Sequence, residues 1–265
     1  MGQNSNISWT TDTFNSWIGC SKVSDGCKFC YAENWDKRYR DGVNWGPGAP
    51  RTITSDANWK LPKKWDKMAG DNGERRRVFC ASLADVFDDE GPADGRARLW
   101  ALIRETPNLD WLLLTKRTAN IVQMVPTDWL TEPLANVWYG TSVESGKVSD
   151  RIKTLSTIPA AVRFLSIEPM IGPIVYPEEM ADIDWAIYGG ESHDSPLLAR
   201  EMKLDWVRDG IAACRKYGAA PFVKQMGSLY AMNNKLADRK GGNPDEWPED
   251  IRVREFPKRR IPLVT

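Results

Sequence analysis

Six short apolar runs, each ending in small or charged polar residues, constrain the fold of this chain most strongly. The runs lie at residues 77–82, 111–116, 137–142, 163–168, 185–190 and 221–225. Continuous rather than alternating hydrophobicity is typical of strands that are buried on both faces, as in a parallel sheet. Segments with helical spacing lie between the runs, at 94–106, 147–157 and 203–217, with a shorter one at 119–125. The alternation predicts an α/β fold whose mostly parallel sheet is a partial or modified (β/α) TIM-like barrel.

The length of 265 residues permits one large domain, and we assign residues 1–265 to a single barrel domain. Residues 31–76 are predicted to form a helix followed by a long insertion, which we interpret as a solvated lid with aromatic anchors. The alternative is a nucleic-acid contact, because lysines interleave with Trp59 and Trp65. Those lysines are Lys60, Lys63, Lys64 and Lys67. The proline-rich tail at 241–265 is expected to wrap over the barrel.

Charge and hydropathy exclude several classes of protein. The 36 basic residues balance the 36 acidic ones, so there is no global cationic field of the kind that coats DNA nonspecifically. No stretch approaches the roughly 20 apolar residues that span a bilayer. The N-terminus lacks a charged segment followed by an apolar one, as a secretory signal would have. We therefore expect a cytoplasmic protein without a membrane partner.

Three of the five cysteines, Cys20, Cys27 and Cys30, fall within eleven residues in the spacing C-x6-C-x2-C. In a reducing compartment such a cluster indicates a metal rather than disulfides. Three thiolates on one loop can hold three irons of a [4Fe–4S] cluster and leave the fourth iron open to an outside ligand. Cys80 and Cys214 lie within a strand and a helix pattern and are expected to be buried thiols.

Two other metal sites compete with the open cluster. A structural zinc knuckle needs four protein ligands, so Cys80, Cys214 or the single histidine, His193, would have to supply the fourth from a distant segment. Such a chain would be a zinc-stapled nucleic-acid-binding module without catalysis. An electron-transfer protein would need a cluster that is fully ligated by the chain, which three cysteines do not provide.

Polar residues follow every apolar run, and in a parallel α/β fold the carboxyl ends of the strands form the active site. A strand end is also commonly polar for structural reasons, such as helix capping. The Gly189-Gly190-Glu191 element lets a backbone approach a ligand closely and adds a carboxylate that can accept bonds from an ammonium group. We therefore expect one mouth that collects carboxylates, cations and hydroxyls from the strand ends.

Seven segments together carry a family resemblance. They are GC-x5-GC-x2-CYAE (19–33), LTKR (114–117), TSVE (141–144), RFLSIEPMIGPI (163–174), YGGES (188–192), PFVKQMG (221–227) and EWPEDIRVREFP (246–257). With them the chain resembles the phage-associated three-cysteine proteins, a family of unknown function that is similar to radical S-adenosylmethionine enzymes. The usual cysteine pattern of those enzymes is C-x3-C-x-aromatic-C. Here Phe29 takes the aromatic position, and the first gap is three residues longer.

The resemblance implies a [4Fe–4S] cluster and S-adenosylmethionine as cofactors, with an external electron donor as partner. It implies reductive cleavage of S-adenosylmethionine to a 5′-deoxyadenosyl radical that rearranges or modifies a substrate. Some relatives occur with genes for hypermodified thymidine, so a pyrimidine in phage DNA or a free nucleotide is the expected substrate, in the host cytoplasm if the chain is phage-encoded. In radical enzymes a Gly-Gly-Glu element usually follows the second strand, whereas Gly189 ends a late one.

The resemblance and the strand ends together give each candidate residue a role. The metal ligands are Cys20, Cys27 and Cys30. The cofactor-binding candidates are Ser82, Ser142, Glu144, Ser166, Glu168, Gly189 and Gly190. The catalytic candidates are Lys116, Glu191 and Lys224. The substrate-binding candidates are Asp85, Arg117 and Gln225.

Overall fold

A computed structural model describes residues 2–261 of the chain. The strands are β1 (Gly2–Gln3), β2 (Asp12–Phe14), β3 (Trp17–Ile18), β4 (Thr52–Ile53), β5 (Arg76–Cys80), β6 (Leu109–Thr115), β7 (Val137–Ser142), β8 (Val162–Ile167), β9 (Trp185–Gly189) and β10 (Ala220–Gln225). The α-helices are α1 (Tyr31–Arg40), α2 (Asp56–Trp59), α3 (Leu61–Asn72), α4 (Ala93–Arg104), α5 (Ile121–Met124), α6 (Asp128–Thr131), α7 (Asp150–Ser156), α8 (Leu204–Tyr217) and α9 (Ser228–Asn233).

The six apolar runs form β5 to β10, as predicted. Every residue of β7 and of β9 is buried, which explains why these segments show no polar alternation. The strand pairs β2–β5, β5–β6, β8–β9 and β9–β10 are parallel, whereas the short β1 is antiparallel to β2. The chain therefore has a mixed α/β fold with a mostly parallel sheet.

The barrel prediction is met only in part. Eight strands are hydrogen-bonded in the order β1-β2-β5-β6-β7-β8-β9-β10, and β3 pairs separately with β4. The order begins at β1 and ends at β10, so the strands of the described residues do not close into a barrel. Strand–helix alternation is compatible with an open or a closed sheet, and for this reason it could not decide between them.

The predicted helices are confirmed as α4, α5, α7 and α8. Helix α8 ends at Gly218, whose φ of +86° lies in the left-handed region that favours glycine. None of the helices between residues 2 and 261 has both the length and the apolar character needed to cross a membrane.

Contacts divide the chain into two compact units. In the described part, unit 1 comprises residues 2–140, 158–161 and 260–261, and unit 2 comprises residues 141–157 and 162–259. In unit 1, the ring of Phe14 packs edge-on against Trp59 and Trp111, with centroid distances of 5.2 and 5.7 Å. In unit 2, Trp185 packs edge-on against Phe222 at 5.8 Å. The assignment of residues 1–265 to a single domain stays a prediction.

The predicted insertion is more regular than a solvated lid. After α1, residues 41–76 form β4, α2 and α3 and lead into β5. Trp59 and Trp65 are 4% and 1% exposed, so neither ring is available to a base in the alternative nucleic-acid contact. Tryptophans interleaved with lysines look the same in sequence whether the rings face a ligand or the core, and here they face the core. Lys63 and Lys67 form surface ion pairs with Glu105 and Asp71.

The tail of unit 2 runs antiparallel along β10. The amide of Val223 donates to the carbonyl of Val253 at 2.8 Å, and the amide of Glu255 donates to the carbonyl of Pro221 at 3.0 Å. Trp247 is buried at 2% exposure. The tail therefore covers part of the β10 edge, and only its last four residues, 262–265, lie outside the described residues.

Two helical glycines provide a matched test of this packing. A Cβ at Gly210 in α8 would lie 2.4 Å from the Tyr188 ring, whereas a Cβ at Gly95 in α4 meets its nearest atoms at 3.5 Å. We expect Gly210→Ala to lower the free energy of unfolding by about 1–3 kcal/mol through overpacking. Gly95→Ala should leave that free energy unchanged or raise it by up to about 1 kcal/mol. Urea unfolding measures both, and equal effects of the two substitutions would contradict the packing described.

Candidate functional site

The three clustered cysteines lie on one loop of unit 1, residues 19–30, which we call the cysteine loop. It follows β3, includes a short 3-10 turn at Asp25–Cys27, and ends at Cys30, the N-cap residue of α1. All three cysteines are free and half-buried, whereas Cys80 and Cys214 are free and fully buried. The prediction that Cys80 and Cys214 are buried thiols is therefore confirmed.

Gly19 fixes the start of the cysteine loop. Its φ is +123°, and a Cβ there would lie 2.4 Å from the backbone oxygen of Asn44. The Gly19 amide donates to the carbonyl of Leu83 at 3.0 Å, just after β5. Only glycine combines this backbone conformation with such a close approach, so the residue before Cys20 is set by local geometry.

Arg117, two residues after β6, holds the same end of the loop. Its Nη2 donates to the carbonyl and to the hydroxyl of Ser21, at 3.1 and 3.0 Å. Its Nη1 lies 3.5 Å from the Cys20 Sγ atom. The guanidinium also pairs with Asp85 at 3.2 Å and with Asp88 at 3.3 Å, and all three side chains are at most 9% exposed. A buried ionic cluster thus joins the cysteine loop to the ends of β5 and β6.

Asp85 is the centre of this cluster. One carboxylate oxygen accepts bonds from the Thr115 hydroxyl at 2.8 Å and from the Lys116 amide at 3.3 Å, besides its contact with Arg117. Asp88 is also paired with the buried Arg51 at 2.8 Å. Asp85 and Arg117, which the sequence suggested for substrate binding, therefore contact each other and the loop. Their role towards a substrate stays a prediction.

The surroundings of the thiols affect their ionisation. Burial raises the pKa of the Cys20 thiol to about 12, and Asp85 adds to the rise while Arg117 opposes it. Burial also raises the pKa of Cys30, against the lowering effects of the Glu33 amide and the Lys116 side chain. Both thiols are therefore protonated at neutral pH in the metal-free chain, and a metal that binds them has to displace their protons.

The donor set fits a group that needs three thiolates. The three half-buried thiols share one loop, Arg117 lies beside Cys20, and Lys116 acts on Cys30. A fourth cysteine for zinc is not at hand, because Cys80 is buried within β5. In residues 2–261 no three Cys, His, Asp or Glu side chains are already arranged to hold a metal ion.

Ser82, a predicted cofactor contact, has structural partners in unit 1. Its hydroxyl accepts a bond from Asn15 at 2.9 Å, and its carbonyl accepts one from the Tyr31 phenol at 2.6 Å. A cavity of about 330 Å³ lies beside Tyr31 and Ser82 and is otherwise lined by residues 2–7 and Thr13. Tyr31 therefore connects the start of α1 to the end of β5.

In unit 2 two predicted carboxylates are already neutralised. Glu144 is 1% exposed and pairs with Arg151 at 3.0 Å. Glu191 is 4% exposed and makes a close ion pair with Arg200, whose amide also donates to it at 2.9 Å. Sequence analysis missed both arginines, although each lies seven or nine residues after its carboxylate in a loop or helix start.

Glu168 and Lys224 are the more accessible predicted pair in unit 2. Their side chains are 19% and 20% exposed, and Lys224 Nζ lies 2.5 Å from Glu168 Oε1. A Cβ at Gly189 would come within 3.1 Å of the Glu168 carboxyl carbon. Gly189 therefore makes room for Glu168, a packing reason for glycine that the sequence does not reveal.

The remaining predicted residues of unit 2 are packed together. A Cβ at Gly190 would lie 2.1 Å from the carbonyl oxygen of Met226. Gln225 donates to the Gly190 carbonyl at 3.0 Å and to the Ser192 hydroxyl at 2.6 Å. Ser142 and Ser166 are buried as well. Gly190 thus has a structural explanation, and ligand binding by these residues stays a prediction.

The ionic cluster around Arg117 predicts a large stability effect. Arg117→Met leaves Asp85 without its buried cation, so we expect a loss of about 3 kcal/mol or more in the free energy of unfolding. Arg104 forms an exposed pair with Asp128, and Arg104→Met should cost less than about 1 kcal/mol. Urea unfolding followed by tryptophan fluorescence compares the two variants. Similar losses for both would show that the cluster does not hold the loop.

Comparison with known proteins gives the chain a family. No curated protein matches it. A family model described as "Protein of unknown function (DUF5131)" matches residues 4–250, which is nearly the whole chain. The chain therefore belongs to this family of unknown function.

Proposed function

We propose that this chain is a radical S-adenosylmethionine enzyme that binds a [4Fe–4S] cluster through Cys20, Cys27 and Cys30. One observation carries the proposal: three free, half-buried thiols share one loop, and the two other cysteines are buried elsewhere. A cluster with one iron open to a cosubstrate needs this number of protein thiolates. A fully ligated electron-transfer cluster or a structural zinc would need a fourth.

The cationic residues next to the cysteine loop also support cluster binding. Arg117 contacts Cys20 and Ser21, and the Lys116 side chain acts on Cys30. Positive charge next to the thiols favours the thiolates that bind metal and offsets part of the negative charge of a reduced cluster. When bound, such a cluster supplies the electron that cleaves S-adenosylmethionine to a 5′-deoxyadenosyl radical. An external electron donor has to reduce it.

For the cosubstrate and the substrate, the contacts favour some candidates over others. Glu144 and Glu191 are buried and paired with arginines, so binding a ligand would leave those arginines without partners. Glu168 and Lys224 are half-buried, and a ligand ammonium or carboxylate can exchange with either partner at lower cost. Among the candidate residues of unit 2, we therefore favour this pair as ligand contacts.

The substrate class that we propose is a pyrimidine of phage DNA, to be rearranged or modified after hydrogen abstraction, as in thymidine hypermodification. The alternative is a zinc-stapled nucleic-acid-binding module without catalysis. It predicts one tightly held zinc and tolerance of substitutions at Glu168 and Lys224. Measuring zinc as well as iron in the metal analysis described below tests this alternative.

Reconstitution with iron and sulfide under anaerobic conditions tests the cluster. We expect about four irons and four sulfides per chain. Cys27→Ala should lose most of both, because two thiolates do not hold the cluster. Cys214→Ala is the matched control, since it removes a buried thiol of unit 2 and leaves the cysteine loop intact.

Two outcomes would overturn the proposal. One is a single tightly held zinc per chain with no bound sulfide, which would favour the nucleic-acid-binding module. The other is equal iron and sulfide in Cys27→Ala and in the unchanged chain, which would remove the cysteine loop as the ligand set.

A further inference from the structure

The outer side of α1, directly after the cysteine loop, carries exposed aromatic rings. Tyr39 is 62% exposed and its ring centroid lies 5.3 Å from that of the half-buried Trp35. Burial of aromatic surface is favourable, and most large aromatic side chains of unit 1, such as Trp17 and Trp65, are fully buried. The exposed Tyr39 ring beside the half-buried Trp35 is therefore a candidate ligand contact.

Two arginines flank these rings. The Arg38 guanidinium lies 5.5 Å from the centroid of the Tyr39 ring, and that of Arg40 lies 6.0 Å from the centroid of the Trp35 ring. Both arginines are exposed. We call Trp35, Arg38, Tyr39 and Arg40 the α1 surface. These cation–π contacts hold the positive charges next to the aromatic rings.

Within the described residues, the two arginines of the α1 surface contact aromatic rings but no carboxylate. The two carboxylates of α1 are engaged elsewhere, because Glu33 pairs with Lys22 and Lys37, and the buried Asp36 accepts bonds from Asn44. Across residues 2–261, Arg38 and Arg40 have no salt bridge. Basic residues in the last turn stabilise the helix dipole, but this does not explain why the rings beside them are exposed.

The lysines of α3 differ from the arginines of the α1 surface. Lys63 and Lys67 on α3 are also exposed, but they pair with Glu105 and Asp71, and Trp65 beside them is buried. Since the chain has no net charge, a polyanion has to be recognised at a local patch. Unpaired cations combined with exposed rings occur on α1 and not on α3.

We propose that the α1 surface binds single-stranded nucleic acid, with Arg38 and Arg40 on phosphates and Tyr39, supported by Trp35, stacked on a base. Stacking of aromatic side chains on unpaired bases together with a cationic track is how proteins bind single strands without base-specific hydrogen bonds. This inference rests on the proposed function, because only the proposed enzyme would use the bound strand as its substrate. Because Cys30 is the N-cap residue of α1, the surface lies about 8–15 Å along the helix from the last cysteine.

Fluorescence anisotropy with a labelled 12-nucleotide oligothymidine strand tests the surface, using the full chain both before and after reconstitution with iron and sulfide. We expect Arg38→Gln with Arg40→Gln to weaken binding about tenfold and to lower the slope of log affinity against log salt by about 1.4. The matched control, Lys63→Gln with Lys67→Gln, removes the same charge and should change the affinity less than about twofold.

A second pair of variants tests stacking. Tyr39→Ala should weaken binding about fivefold or more, and Tyr39→Trp should restore it to within about twofold. A duplex of the same sequence should bind more weakly than the single strand. Circular dichroism checks that each variant is folded, which is expected because the substituted side chains lie on the surface.

Three results would overturn the inference: equal weakening by the two double substitutions, no effect of Tyr39→Ala, or equally tight duplex binding that does not depend on Tyr39. The test is separate from that of the cluster. Strand binding that follows these variants in a chain that takes up no iron would keep the α1 surface and reject the proposed enzyme. An assembled cluster together with unchanged strand binding by the Arg38 and Arg40 variants would keep the proposed enzyme and reject the α1 surface.

Discussion

The buried ion pair between Arg117 and Asp85 supports the candidate site of unit 1. Removing these charges from water is costly, and the cost is offset only because each polar atom finds several partners. Asp85 receives Thr115 and the amide of Lys116, and Arg117 reaches Ser21 and Cys20. The chain therefore uses a buried polar interaction to fix the end of a loop. Such a cluster specifies one arrangement of the loop relative to β5 and β6.

This constraint sets what the cysteines can do. The anchored end holds Cys20 beside a cation, and the other end holds Cys30 at the start of α1. Burial keeps both thiols protonated because it raises their pKa values, so metal binding and proton release are coupled. A protein built in this way offers three thiolates and no fourth, which is why we favour a cluster with an open iron over zinc.

Much of the fold could be predicted from sequence because continuous apolar runs mean burial on both faces of a strand. The cysteine loop was equally visible, since its spacing is local. The functions of the strand-end residues were harder to predict, because a carboxylate at a strand end looks the same whether it meets a ligand or an arginine. Glu144 and Glu191 were candidates for ligand contacts, and their arginines became evident only in three dimensions. In the same way, the lysines that interleave with Trp59 and Trp65 do not show whether the rings are buried, and the exposed ring of the proposed surface is Tyr39 on α1.

The central claim is that the cysteine loop holds a cluster with one iron open to S-adenosylmethionine. Mössbauer spectroscopy of the ⁵⁷Fe-reconstituted chain, before and after addition of S-adenosylmethionine, tests it most directly. The account predicts that one iron in about four changes its isomer shift as the amino and carboxylate groups of the cosubstrate bind, while the others keep theirs. A spectrum that does not respond to S-adenosylmethionine would contradict the account, because it would show that no iron is open to the cosubstrate.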